Sequence, residues 1–272
     1  MKIIYFLLIF LSLACTTHQD AKTATIPSKH RNISHFDSTT HTLHVLVALC
    51  DNQFQGIVPV PPKIGNGQDP DNNLYWGCGN GIRTYFQKSE EWELIKTQKI
   101  DSIRLERLIF RHLERDNYYL VADAYDGEYI QKCTQDFFYA CSGQEKDTLH
   151  VAGKTIGIQG NAKLLAYIGH DGLMDFSLHD KFKNADGIKR DCIILACISQ
   201  KYFAPHLRHT KANPLVWTTG LMCPEAYTLH DAFAGYVRGE TGEKVRTRAA
   251  LAYAKYQKCS EKAARNLLVK GY

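Results

Sequence analysis

The sequence predicts an α/β domain with a mostly parallel sheet flanked by helices in three layers, and three observations predict it. Short apolar runs recur at 43–50, 118–124, 164–168, 192–197 and 215–222, each too continuous for a strand with one wet face. Amphipathic or capped helical stretches separate most of them, the alternation that builds parallel sheets. Two of the runs end in reactive side chains, His170 and Cys197, where open α/β sheets place their chemistry.

The chain begins with one Lys and about a dozen apolar residues, ending Leu-Ser-Leu-Ala-Cys at Cys15. A membrane span needs roughly 20 apolar residues, so this stretch reads as a secretory signal of 1–14. Residues 15–40 are polar and without period, a flexible tether. The remainder, 41–272, reads as one domain with no internal repeat.

Composition is ordinary for a globular chain, with 44% hydrophobic and 22% charged residues. The formal charge of +5 is spread along the chain instead of forming a block, and no arginine-aromatic alternation is present, so a nucleic-acid partner is not expected. Beyond Cys15 there are eight cysteines, none spaced Cys-x-x-Cys, which argues against a zinc ribbon or a thioredoxin-type site. Most sit inside apolar runs, where a thiol behaves as a small hydrophobe, although an exported chain could also bridge a few.

The first strand, 43–50, is stopped by Asp51 and Asn52. A loop over 54–73 holds four prolines among residues 59–70 and cannot be regular; loops this long are more often functional than idle. Asp69, Asp71 and Asn73 start like a calcium loop, but Leu74 stands where the sharp turn needs Gly and Asn80 where a bidentate Glu belongs, which leaves a turn-rich loop and no metal site. Apolar residues at 74, 75, 78, 82, 85 and 86 suggest a helix weakened by glycines. A short strand at 92–95 and a charged amphipathic helix over 103–113 follow.

The strand 118–124 leads through Asp126 and Gly127 into a helix over 128–141, closed by Ser142 and Gly143. A hairpin over 148–158 turns at Gly153 and Lys154, and 173–190 is a loop. Beyond the thiol run, a helix is expected over 200–208 and another from Pro224 and Glu225, where Pro is tolerated, to Gly239. One last helix is expected from about 244 to 268. Asp123, Asp126, Thr218, Thr219 and Glu225 lie near strand ends and could shape a pocket, though no role is assigned to them.

In the thiol run, Ile193, Ile194, Leu195 and Ala196 lead directly into Cys197; in the other, Gly169, His170, Asp171 and Gly172 close the strand. An apolar strand ending in His near Gly, then one ending in Ala-Cys, resembles the caspase-like cysteine peptidases. In those families Gly follows His directly, whereas Asp171 is interposed here. The resemblance implies a caspase-like three-layer sandwich. It implies Cys197 as nucleophile, His170 as general acid and base, and the Gly172 amide together with that of Cys197 as oxyanion donors. It implies a peptide or protein substrate and no cofactor or metal.

The N-terminal pattern in turn resembles the lipobox of bacterial lipoproteins. That implies cleavage before Cys15, its lipidation, and an exported chain tied to a membrane of the cell envelope. The rival reading is a non-catalytic cell-surface lipoprotein that uses the same scaffold, and the loop 54–73, to bind a partner or glycan. A serine esterase is disfavoured because no Gly-x-Ser-x-Gly elbow is present.

Overall fold

The strands expected from the apolar runs join in one sheet. The structure, a computed structural model, describes residues 35–272; the signal segment, Cys15 and most of the tether lie outside the described residues. Eight strands order as β10-β9-β8-β7-β1-β4-β3-β2. Their ranges are β1 His41–Ala48, β2 Trp92–Gln98, β3 Arg104–His112 and β4 Tyr118–Tyr125. On the far side stand β7 Leu164–Ile168, β8 Asp191–Leu195, β9 Asn213–Thr218 and the two-residue β10 Leu268–Val269. The five central strands run parallel, while β2, β3 and β10 pair antiparallel. A separate hairpin, β5 Lys146–Val151 and β6 Lys154–Gln159, matches the expected turn near Gly153.

The continuity of the apolar runs has a simple cause: both faces of the sheet are covered. Alternate residues of β1 point to opposite cores, Leu43, Val45 and Val47 to one and Leu46 and Ala48 to the other. The first core is roofed by α1 Ile82–Gln87, α4 Ala226–Val237, α5 Gly242–Gln257 and α6 Glu261–Leu267. The second is roofed by α2 Ile130–Ser142 and α3 Ser199–Thr210, with Phe137, Phe138, Phe203 and Phe182 in mutual ring contact against Tyr167. A third, smaller cluster lies where the hairpin's Ile156 and Ile158 cover Ile109, Tyr119 and Val121.

Three expectations are corrected. Within residues 103–113 the chain forms the strand β3, Arg104–His112, not a helix. Leu108 and Phe110 face one core and Ile109 the other, and the intervening charges are held across strands: Arg107 by Asp123 and Arg111 by Glu93. Cross-strand pairing removed the need for a wet helical face. The stripe 74–86 is helical only from Ile82, because the stretch before it is a series of turns pressed backbone to backbone. A Cβ on Gly77 would lie 2.1 Å from the Asp71 carbonyl oxygen, and one on Gly81 would lie 2.4 Å from that of Trp76. The last helix is two, broken where Lys258 takes a left-handed φ of 53° and Ser260 caps the next by accepting from the Ala263 N–H. The tether's end is also tied down, with the Asp37 N–H donating to Thr155 O of the hairpin.

Charged side chains are kept inside this sheet by mutual contact. Asp123 of β4 is fully buried, accepts Arg107 Nε at 2.5 Å and Nη2 at 2.7 Å, and contacts His44 Nε2 at 3.1 Å. The other ring nitrogen of His44 accepts the Gln159 N–H at 3.1 Å. The outer edge, β2, carries a register irregularity between Leu94 and Lys96.

Candidate functional site

Because β4 and β7 lie on opposite sides of β1, the strand order reverses direction at β1, and crevices at such switch points are where open α/β sheets bind ligands. The segments leaving β1 and β7 carry Cys50, Asp51, Gly169, His170 and Asp171, and the next strand, β8, delivers Cys197.

Strands β7 and β8 are parallel neighbours whose last registered pair is Ile168 with Leu195. Both His170 and Cys197 therefore stand two residues past that pair, on adjacent strands of a sheet whose spacing is about 4.8 Å. Gly169 makes this ending possible. Its φ is +149°, its N–H reaches Leu195 O at 3.3 Å, and a Cβ there would lie 2.7 Å from Ala48 O of β1.

Cys197 occupies a tight strand-to-helix turn. Ile198, the residue after it, has φ of 51°, a left-handed conformation that is strained for a β-branched side chain. The turn is fastened from below. Ser199 Oγ donates to Ile194 O at 3.1 Å, the Ser199 N–H donates to Thr218 Oγ1 at 3.1 Å, and Thr218 Oγ1 donates to Ala196 O. Thr218 is therefore committed to holding the turn. The thiol is half-buried beside Met222, whose N–H reaches Sγ at 3.4 Å. Exposed Leu221 and Cys223 flank Met222 and leave an open, partly apolar rim next to the thiol.

His170 is 7% exposed and its Nε2 lies 2.7 Å from Asp175 Oδ2. The same carboxylate oxygen accepts the N–H of Gly56, from the Pro/Gly loop, at 2.9 Å. Nothing in the sequence marked Asp175, which lies in a loop five residues after the imidazole. It nevertheless sets a carboxylate on one ring nitrogen of His170, which fixes the imidazole's orientation. The loop 54–73 is itself pinned by Asp51, which accepts from the N–H groups of Gln53, Phe54 and Gly67, and by Asn73, which clasps Cys50 through its N–H and its carbonyl.

Asp171 is fully buried, accepts one N–H from Leu173, and leaves Oδ2 without a partner. Burial raises its pKa to about 7, opposed by the Leu173 N–H. Burial also pushes the Cys197 thiol up; the Met222 backbone opposes this and charge on Asp171 adds to it. Cys50, behind the site, is raised to about 11, mainly by burial. The Gly172 N–H donates to His170 O at 3.1 Å, and Gly172 lies against the Phe176 ring.

The other residues noted near strand ends serve elsewhere. Asp123 is the partner of Arg107, Asp126 accepts from Gln68 and from the Glu128 N–H, and Thr219 donates to Asn266 O. Glu225 accepts from Tyr227 and from Gln257. All eight cysteines among the described residues are free. Among the described residues, no group of three or more His, Cys, Asp or Glu side chains could hold a metal ion, and no helix is long and apolar enough to cross a membrane. Comparison with protein families, curated proteins and solved structures finds no match for this chain.

Proposed function

We propose that this chain is an exported, lipid-anchored cysteine peptidase of caspase-like architecture, with Cys197 as nucleophile and His170 as its acid and base. The observation that carries the reading is the register of β7 and β8, which puts both residues the same two steps past the last strand pair. With Nε2–H donating to Asp175, His170 Nδ1 is the nitrogen left to accept the thiol proton.

In the first half-reaction Sγ forms a bond to the scissile carbonyl carbon while its proton passes to His170. The C–N bond then breaks and the amine leaves with that proton, giving a thioester. In the second, water attacks the thioester, its proton returns through His170 to Sγ, and the acid is released. The positive end of α3, which begins at Ser199, favours negative charge gathering at Cys197. Because the Gly172 N–H is engaged with His170 O, it must turn away from that carbonyl to serve as an oxyanion donor.

A fluorogenic peptide library tests this. Cys197→Ala is expected to abolish hydrolysis and His170→Gln to reduce it by about 10²–10⁴-fold; turnover unchanged in Cys197→Ala removes the proposal.

A second reading, a non-catalytic surface lipoprotein that binds through the loop 54–73, is favoured by the raised thiol pKa, which works against a thiolate at neutral pH. Alkylation separates the two. An activated Cys197 reacts with iodoacetamide at pH 7 well ahead of exposed Cys223 and Cys259, whereas a scaffold's Cys197 lags behind them.

A further inference from the structure

A second constellation of reactive side chains lies on the α1 and α4 face and shares no residue with the site at the strand ends. Ser89, just past α1, places Oγ 2.8 Å from Nε2 of His230 in α4. His230 Nδ1 lies 3.1 Å from Asp231 Oδ1. The Ser89 hydroxyl also accepts the Glu91 N–H at 3.1 Å, so its own proton is left to point at the imidazole. The ring is clamped between Tyr85 and Phe86, each centroid 5.4 Å away, which fixes its orientation. Glu91 Oε2 stands 3.8 Å from Nε2 without a hydrogen-bond partner of its own, while Glu91 Oε1 is paired with Arg238 at 2.6 Å. Ser89, His230, Tyr85 and Glu91 line a cleft of about 520 Å³ together with Asn80 and Lys88.

We propose that this cleft is a hydrolytic site in its own right, in which Ser89 is acylated by aryl esters of short carboxylic acids, with His230 as base and Asp231 as its positioning residue. The hydroxyl, the two ring nitrogens and the carboxylate follow the order that activates a serine nucleophile, and such constellations are recognised by geometry, not by sequence position. An aryl ester suits the cleft because Tyr85 offers an aromatic wall beside the imidazole, and because a phenol is a good leaving group. In the step, Oγ bonds to the acyl carbon as its proton passes to Nε2. The C–O bond to the phenol breaks and the phenol departs with that proton. Water, deprotonated by the same nitrogen, then releases the acid and restores Ser89. Lys88, and Asn80 with the N–H it does not give to Glu225 Oε1, are the side chains of the cleft able to donate to the oxyanion.

The test uses the Cys197→Ala chain, so that thiol chemistry at the other site cannot contribute. It is incubated with a fluorophosphonate and, separately, with p-nitrophenyl acetate. The expected result is one phosphonyl adduct mapped to Ser89, together with p-nitrophenol release that falls at least about 100-fold in Ser89→Ala and in His230→Gln. Both variants are checked by thermal melting. If either proves unstable, the adduct map on the chain with Ser89 and His230 intact still decides. Absence of an adduct at Ser89, or an adduct whose rate is indifferent to His230→Gln in a folded variant, overturns the proposal. Loss of peptide hydrolysis in Cys197→Ala bears only on the other site, so the two can fail separately.

Discussion

Asp123 and Asp171 are both fully buried carboxylates in the same sheet assembly, and they are treated in opposite ways. Around Asp123 the chain has placed two Arg107 nitrogens and a His44 nitrogen; burial works against its ionisation, but these partners hold the carboxyl well below the usual carboxylate range. Around Asp171 it has placed one backbone N–H, and the carboxyl is pushed up to about 7. The first arrangement serves folding, since a buried charge is tolerable only when fully paired. The second sits just past the end of β7, beside the proposed dyad, with one oxygen left without a partner. Burial alone does not set a carboxyl's ionisation; the count of partners does.

The contrast can be broken most forcefully at its paired end. Asp123→Ala strands Arg107 in the interior and is expected to cost about 3–5 kcal/mol, read as a fall in the urea midpoint. A loss below about 1 kcal/mol would mean that water reaches Arg107 and that the pair is not a folding element.

At the other end, Gly56→Ala tests the coupling of the loop to the imidazole. An alanine Cβ would lie 2.3 Å from Asp175 Oδ1, so the carboxylate must swing off His170. Peptide hydrolysis is expected to fall by up to about 10²-fold, with stability changed by less than about 1 kcal/mol. Unchanged kinetics would show that Asp175 does not orient His170.

A third expected effect concerns pH. Asp171 keeps its proton in the fold where the unfolded chain, near 3.8, has lost it; its contribution is fully present below that value and is lost as pH rises through about 7. Asp123 tilts the other way, contributing above 3.8 and losing that contribution as pH falls. Asp171→Asn should therefore flatten the decline between pH 4 and 7, gain stability at pH 8, and speed alkylation of Cys197 by removing a neighbouring charge. A Cys197 alkylation rate equal to that of the unmutated chain would separate the two groups.

How legible these features were in the sequence follows from how locally they are encoded. The runs that became β1, β4, β7, β8 and β9 were plain, because strands covered on both faces are apolar throughout. β3 reads as a helix from its spacing, since its charges find partners only across strands, and Arg107 with Asp123 cannot be paired from spacing alone. β10 has two residues and no period to detect. His170 and Cys197 were legible as strand-end residues; Asp175 was not, since an Asp in a polar loop carries no signal until the loop folds back. Ser89 and His230, 141 residues apart in sequence, were beyond any local pattern.

The irregular register of β2 reaches past this one molecule. A straight outer strand would offer a regular row of amides and carbonyls to any passing chain, and sheets with such rims can recruit copies of themselves into fibrils. Here the slip between Leu94 and Lys96 breaks the row, and the exposed Glu93 and Lys96 bring charge to it. Among the described residues, this side of the eight-stranded sheet therefore ends in an edge that makes a poor template for a further strand.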